Sequence, residues 1–197
     1  MTSLLKLSQW IDWLNERVGR AAFWLVLAMT VICATNASVR FAFNYSSNGL
    51  LEIQWYLFAA VFLLSSPYTL LKNEHVRIDV LAGKLSPRGQ AVIDIIGTLL
   101  FLLPMVAMVL WLSLPLVAES FRINEMSANA GGLIRWPVKA LLPVGFALLA
   151  LQGLSELIKR MAFLAGLIAD PNAKAQGPSA EEELAAAIAA AKGKEGK

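Results

Sequence analysis

Apolar residues gather in four long runs that contain no charged residue. The runs are Ala21–Val39, Ile53–Leu71, Ile95–Ala118 and Ala140–Ser155. A helix needs about 20 mostly apolar residues to cross the roughly 30 Å hydrocarbon layer, and no run shows the alternation of a barrel strand. Three runs reach that length alone, and the fourth does so if Lys139 and Glu156 lie at opposite interfaces. The pattern predicts an all-α membrane protein with four transmembrane helices, at about 21–43, 51–71, 88–119 and 137–163.

Residues 1–20 carry a different pattern, which predicts an additional amphipathic helix. Apolar side chains recur every three or four positions, as Leu4, Leu7, Ile11, Leu14 and Val18. This spacing places them on one face of a helix. Trp10, Trp13 and Trp24 are of a residue type that favours the headgroup level of a membrane. We expect a helix that lies in the inner interface before the chain turns to cross, with these tryptophans as anchors. A helix packed on a partner protein would use the same stripe.

The distribution of Lys and Arg predicts the orientation. Nine basic residues lie before the first run, between the second and third, or just after the fourth, and four lie on the opposite side. Cytoplasmic loops carry the excess of basic residues in membrane proteins. Both termini and the middle loop are therefore expected in the cytoplasm. Because the basic residues flank helix ends, they do not indicate nucleic-acid binding.

The first outer connection places polar residues close to the membrane. Asn48-Gly49 is a turn signal that predicts a tight hairpin between the first two spans. Glu52 is positioned to pair with Arg40 across that hairpin, with Gln54 and Trp55 beside it at the start of span two. Asn36 is polar at membrane depth, where such groups usually join helices. Contact of these residues with a transported solute is the alternative.

The other two connections predict local structure only. In the inner loop, Val76, Val80, Leu81 and Leu85 would share one side of a short cytoplasmic connecting helix, with His75, Arg77 and Asp79 as polar neighbours. Ser86-Pro87 fits the cap and first position of the third span. That span is longer than the bilayer requires, and Pro104 and Pro115 are candidate kink sites. In the second outer loop, Arg135 and Trp136 precede a proline that suits the start of span four.

The chemistry expected of these residues is structural rather than catalytic. Only one histidine is present, and no acidic residue falls in the middle of a span. An autonomous ion-coupled carrier usually has ionisable groups or broken helices there. We therefore predict no enzyme activity, no cofactor and no metal site. Cys33 has no partner for an intrachain disulfide. Residues 166–197 are expected to form a mostly disordered cytoplasmic tail with a transient alanine-rich helix.

Several motifs in order resemble one transporter family. They are Glu52-Ile-Gln-Trp-Tyr-Leu-Phe, Asn73-Glu-His-Val-Arg-Ile-Asp-Val-Leu, Asn129-Ala-Gly-Gly-Leu-Ile-Arg-Trp-Pro-Val-Lys and Gln152-Gly-Leu-Ser-Glu. With the four-span layout, residues 10–165 resemble the small membrane subunit, of DctQ type, of tripartite ATP-independent periplasmic (TRAP) transporters. The C-terminal extension departs from that pattern.

The resemblance implies a role in a sodium-driven importer of organic acids in a bacterial inner membrane. In that family an extracytoplasmic binding protein delivers the solute to a large multi-spanning subunit, and the small subunit widens the static scaffold. It implies that the apolar faces of the spans contact the large subunit and lipid. It also implies that Glu52, Gln54, Trp55 and residues 127–136 lie on the docking side, and that His75, Arg77 and Asp79 order a cytoplasmic turn. An independent carrier or channel and a non-transport anchor or assembly protein are the alternatives.

Overall fold

The computed structural model describes residues 2–45, 47–73 and 86–169. Its helices are α1 (Thr2–Phe43), α2 (Asn48–Lys72), α3 (Pro87–Gly97), a π-helical turn (Thr98–Leu102), α4 (Leu103–Arg122) and α5 (Trp136–Leu164). α3, the π turn and α4 form one continuous rod. The described part thus contains four helices that are long and apolar enough to cross a membrane. The predicted all-α, four-span fold is confirmed.

The first helix differs from the prediction because it has no turn near residue 20. α1 runs without interruption for 42 residues, about 63 Å at 1.5 Å per residue. The two predicted elements are therefore one helix. Its apolar stripe is only partly covered by the rest of the chain, since Ile11 is buried while Leu4 and Leu7 remain about half exposed. A location of residues 1–20 in the membrane interface stays a prediction.

The predicted hairpin between the first two spans is present, but Asn48-Gly49 is not its turn. α1 ends at Phe43, Asn44 adopts a positive φ of 52°, and Asn48 and Gly49 are the first residues of α2. The Asn48 side chain donates to the carbonyl oxygen of Ala130 at 3.0 Å. These residues therefore join α2 to the loop before α5 instead of reversing the chain.

The third span begins as predicted and changes its hydrogen bonding before Pro104. The Ser86 hydroxyl accepts from the backbone N–H of Gly89 at 3.3 Å, and Pro87 occupies the first helical position. The π turn ends where the N–H of Leu103 donates to the carbonyl of Thr98. Since Pro104 has no N–H to donate, a wider turn directly before it accommodates the missing bond. Pro115 lies inside α4 without ending it.

α5 is the central helix of the bundle and packs against α1, α2, α3 and α4. Small residues permit the closest approaches. A Cβ atom at Gly145 would lie 2.9 Å from the backbone oxygen of Leu63 on α2. A Cβ atom at Gly19 of α1 would lie 2.5 Å from the Tyr68 side chain. The α5 backbone therefore comes close to that of α2 at Gly145, and an α2 side chain packs directly on the α1 backbone at Gly19.

Two predicted features lie outside the described residues. Residues 74–85 include the predicted connecting helix and the candidate side chains His75, Arg77 and Asp79. Residues 170–197 include nearly all of the predicted tail, whose first residues follow the end of α5 at Leu164.

Candidate functional site

Glu52 organises the end of the bundle that carries the two short connections. Its carboxylate is 3% exposed. It accepts hydrogen bonds from Asn129 Nδ2 at 2.8 Å, from the backbone N–H of Leu133 at 2.7 Å and from the Ser127 hydroxyl. We call Glu52, Ser127, Asn129 and Leu133 the Glu52 cluster. Since all three donors belong to one loop, this carboxylate fixes that loop to the start of α2.

The loop is itself ordered by backbone pairing. The N–H of Ser127 donates to the carbonyl of Leu133 at 3.0 Å, and the N–H of Arg135 donates to that of Glu125 at 2.8 Å. Gly131 turns the chain at a φ of +70°, a conformation that suits glycine. A Cβ atom on Gly132 would lie 2.4 Å from that of Ser127. The small residues in the loop therefore let its two sides close around the Glu52 carboxylate.

The predicted ion pair between Arg40 and Glu52 is not formed. Both carboxylate oxygens of Glu52 are used by the loop, while the Arg40 side chain is exposed. The prediction took the two residues to be the nearest opposite charges at one membrane face. The carboxylate instead accepts hydrogen bonds from neutral N–H and O–H groups that lie 75 to 81 residues away in sequence.

A second link joins this loop to the start of α5. The Lys139 ammonium donates to the Glu125 carboxylate in an ion pair, and the pKa of Glu125 is lowered from its ordinary value. The hydrogen bond from Lys139 is the main cause. Arg135 donates to the Ser127 hydroxyl at 3.4 Å, and the Trp136 ring meets Phe121 edge to face. Arg135 and Trp136 therefore belong to the same assembled end as Glu52.

A larger polar cluster lies between the first half of α1 and the second half of α5. Gln152, fully buried, accepts from Asn15 Nδ2 at 2.8 Å and donates to Asp12 at 2.9 Å and to Glu156 at 3.2 Å. Ser155 donates to Asp12 at 2.7 Å. Ser8 and Lys159 complete the group. We call its seven members the Gln152 cluster: Ser8, Asp12, Asn15, Gln152, Ser155, Glu156 and Lys159.

Ion pairs extend this cluster to α3. Lys159 pairs with Asp12 at 3.1 Å and with Glu156. Arg160, buried beside them, pairs with Asp94 of α3 at 2.9 Å and lies 3.9 Å from Glu156. Asp94 thus faces the bundle, where it meets α5. The three carboxylates and two cations at this end connect three helices, and each cation pairs with two carboxylates.

The sequence analysis missed the Gln152 cluster. Its signal was present, because Ser8, Asp12 and Asn15 recur at spacings of four and three on one side of α1. The matching positions on α5 are Gln152, Ser155, Glu156 and Lys159, again three or four apart. The apolar stripe of α1 borders this polar face, and the prediction for residues 1–20 rested on the stripe alone.

The remaining candidate residues belong to neither cluster. Asn36 is buried in α1, Gln54 is half-buried, and Trp55 is 65% exposed. The three predicted anchors Trp10, Trp13 and Trp24 are all more than half exposed, and the Arg17 guanidinium lies 5.1 Å from the centre of the Trp13 ring. Their exposure leaves them available to lipid or to a partner. Within the described ranges no group of three His, Cys, Asp or Glu side chains could hold a metal ion.

The profile of the tripartite ATP-independent periplasmic transporters, DctQ component, matches residues 29–163. The chain belongs to this family. A protein of Haemophilus influenzae that is named as a TRAP transporter small permease protein is 28% identical to it over 90 residues. The alignment covers 46% of the present chain and 56% of that relative, so the chain spans a little over half of the relative's length. No solved structure matches the chain significantly.

Membership in the DctQ family makes this chain a small membrane component of a TRAP transporter, with several membrane-spanning helices. The matched range contains the whole Glu52 cluster and the α5 half of the Gln152 cluster. It excludes Ser8, Asp12 and Asn15, which lie before residue 29. The Gln152 cluster therefore attaches an N-terminal segment outside the family match to the most buried helix within it.

Proposed function

We propose that this chain is the scaffold subunit of a sodium-driven, binding-protein-dependent TRAP importer of organic acids, with carboxylates as the substrate class. It packs against a large multi-spanning subunit in a bacterial inner membrane, and both of its termini are cytoplasmic. Family membership supports the transporter. The partner, the driving ion and the substrate class follow from the resemblance set out above.

One observation carries the scaffold role. Acidic and basic side chains are confined to the two ends of the spans. There the Glu52 cluster fixes a loop to α2, and the Gln152 cluster joins α1 to α5. Between these ends the surface is apolar, and Phe62, Phe101 and Trp111 are each more than two thirds exposed. Such a body offers a large area to lipid and to the helices of another subunit. It is suited to support a moving transport domain.

The Glu52 cluster supports a docking role for the loop end. It holds residues 127–133 in one conformation before any partner arrives, which lowers the entropic cost of binding. Trp55 and Met126 remain exposed beside it, and aromatic and methionine side chains are enriched in protein interfaces. We propose that the extracytoplasmic binding protein docks transiently on this surface.

The test is purification of the tagged chain from gently solubilised native membranes, followed by mass spectrometry of the proteins that accompany it. Recovery of one large multi-spanning protein in near-equal amount is the expected result. Reconstitution of that pair with the binding protein should then give solute uptake that requires an inward sodium gradient. Uptake by this chain alone in vesicles would establish an independent carrier instead. A stable chain recovered with no large partner would count against the scaffold role.

A further inference from the structure

A groove of about 540 Å³ opens between α1 and α2 at the loop end of the bundle. Polar and apolar side chains both line it, among them Cys33, Asn36, Ala37, Arg40, Leu51 and Gln54. Its size falls within the roughly 300–1,000 Å³ of small-molecule sites. Neither the Glu52 cluster nor the Gln152 cluster contributes to its lining.

Two buried polar atoms in this groove lack a hydrogen-bond partner among the described residues. They are Oδ1 of Asn36 and Nε2 of Gln54. Asn36 is only 6% exposed. Buried polar groups are nearly always paired, because an unpaired group has lost its hydrogen bonds to water without replacement. Arg40, one helical turn from Asn36, forms no ion pair with another described residue. A donor, an acceptor and a cation thus converge without partners in the described part of the chain.

The lining changes from charged to apolar along α1. Arg40 lies one turn from the end of that helix at Phe43. Asn36 and Gln54 follow, and Cys33 lies about 10 Å further along α1 than Arg40 at 1.5 Å per residue. Because the charge-free run of this span ends at Val39, Arg40 is expected at the level of the lipid headgroups. A phospholipid has the same order, with phosphate, ester carbonyls and acyl chains at increasing depth.

We propose that this groove binds a phospholipid whose phosphate is held by Arg40. The planar guanidinium can donate two parallel hydrogen bonds to phosphate oxygens. The Gln54 amide donates to an ester carbonyl below the phosphate. Ala37 and Cys33 then contact the start of an acyl chain. Phe41, 94% exposed at the rim, covers the bound glycerol backbone from outside.

The depth order favours a lipid over a partner helix. A helix that crosses the membrane beside α1 would have to supply an acid at the headgroup level and an amide or hydroxyl one turn deeper. Every phospholipid supplies an anion for Arg40 and an ester acceptor for the Gln54 amide at those depths. The proposal does not depend on the identity of the transported solute.

The experiment is native mass spectrometry of the full-length purified chain with phosphatidylglycerol, alongside diacylglycerol with identical acyl chains. We expect retained phosphatidylglycerol adducts and few diacylglycerol adducts. Arg40→Gln should weaken retention about tenfold, since charge-assisted hydrogen bonds exceed neutral ones by that order. Gln54→Leu should also weaken it without lowering the melting temperature, because Nε2 of Gln54 has no hydrogen-bond partner in the described protein.

Arg122→Gln is the matched control. Arg122 also lies near a helix end on the same side of the bundle, but it pairs with Glu119 at 2.7 Å. Its replacement should leave lipid retention unchanged. Equal losses in both variants, or equal retention of diacylglycerol, would overturn the proposal. Displacement of the lipid by millimolar inorganic phosphate would show instead that the site binds a free anion. Loss of the lipid on assembly with the large subunit would show instead that the groove is a protein contact.

Discussion

At the scale of single residues, Glu52 is a buried carboxylate whose partners all belong to one loop. Glu52→Gln keeps its shape but replaces one acceptor oxygen with an NH₂ group that faces other donors. We expect a loss of roughly 1–3 kcal/mol in the stability of this region, because buried N–H groups of the loop lose their acceptor. Hydrogen exchange of peptides that cover residues 123–135 measures the effect, and it should accelerate there while α5 stays protected.

Glu119→Gln is the control for this prediction. Glu119 is exposed and pairs with Arg122 on the next turn of α4, and exposed pairs contribute little. Its exchange profile should match that of the parent protein. Unchanged exchange of the loop in Glu52→Gln would mean that backbone pairing alone holds residues 127–133, and the structural role assigned to Glu52 would be wrong.

Glu125 makes the same loop sensitive to acid. Its pKa is lowered from the ordinary 4.5, mainly by the hydrogen bond from Lys139. A carboxylate with a lowered folded-state pKa stabilises the fold at pH values above the unfolded pKa, and that contribution is lost as pH falls through the folded value. Loop exchange, corrected for intrinsic rates, should therefore be constant from pH 7 to 5 and rise only below 4.5. Glu125→Gln should show faster loop exchange already at pH 7 and a smaller rise in exchange below pH 4.5. If its exchange rises with acid as it does in the parent protein, another carboxyl group causes the acid transition.

At the scale of the elements, the spans were predictable and their polar contacts were not. The length of a charge-free run such as Ile95–Ala118 is a property of one segment, and a bilayer allows that segment few alternatives to a helix. The Ser86 cap of α3 is equally local. The contact between Gln152 and Asn15 depends on how two distant helices meet, which periodicity within either helix does not specify. The same limit explains why Glu52 was paired with Arg40 rather than with a distant loop.

Gln152 tests whether the buried polar face holds α1 to α5. Gln152→Leu removes one acceptor and two donor bonds, so Asn15, Asp12 and Glu156 each lose a partner. We expect a loss of at least about 2 kcal/mol in unfolding free energy and faster proteolysis within residues 2–20. Both are measured on the purified chain in detergent. Gln9→Leu makes the same change on the exposed side of α1 and should have little effect; equal proteolysis of the two variants would refute the role of the cluster.

Glycine positions test the close approach of α5 to α2. In Gly145→Ala the new Cβ would lie 2.9 Å from backbone oxygen and side-chain carbon atoms of Leu63. Backbone cannot move aside cheaply, so we expect a loss of about 1–3 kcal/mol, as overpacking usually costs. Gly97→Ala, at the end of α3, meets nothing within 4 Å and should be neutral or stabilise by up to about 1 kcal/mol. Thermal unfolding of both variants measures these changes in stability. A Gly145→Ala protein as stable as the parent would mean that the two helices are farther apart than described.

At the scale of the whole molecule, the two polar clusters lie at opposite ends of an apolar body. The Glu52 cluster connects α2 to the loop before α5, and the Gln152 cluster connects α1 to α5 and, through Arg160, to α3. Every span is thus fixed at one end or both by groups that a membrane interior would not tolerate unpaired. The apolar middle carries no comparable constraint and is free to serve as contact surface.

The orientation of this body in the membrane decides which cluster meets the binding protein. The excess of Lys and Arg beside the termini and the 72–88 connection predicts that the Gln152 cluster faces the cytoplasm and the Glu52 cluster the opposite side. The single cysteine makes the test direct: in a Cys33→Ser background, Ala128→Cys and Ser3→Cys each introduce one thiol at an exposed position. A membrane-impermeant maleimide added to spheroplasts should label position 128, and position 3 only after permeabilisation. The reverse pattern would invert the topology and place the Glu52 cluster in the cytoplasm, where an extracytoplasmic binding protein cannot reach it.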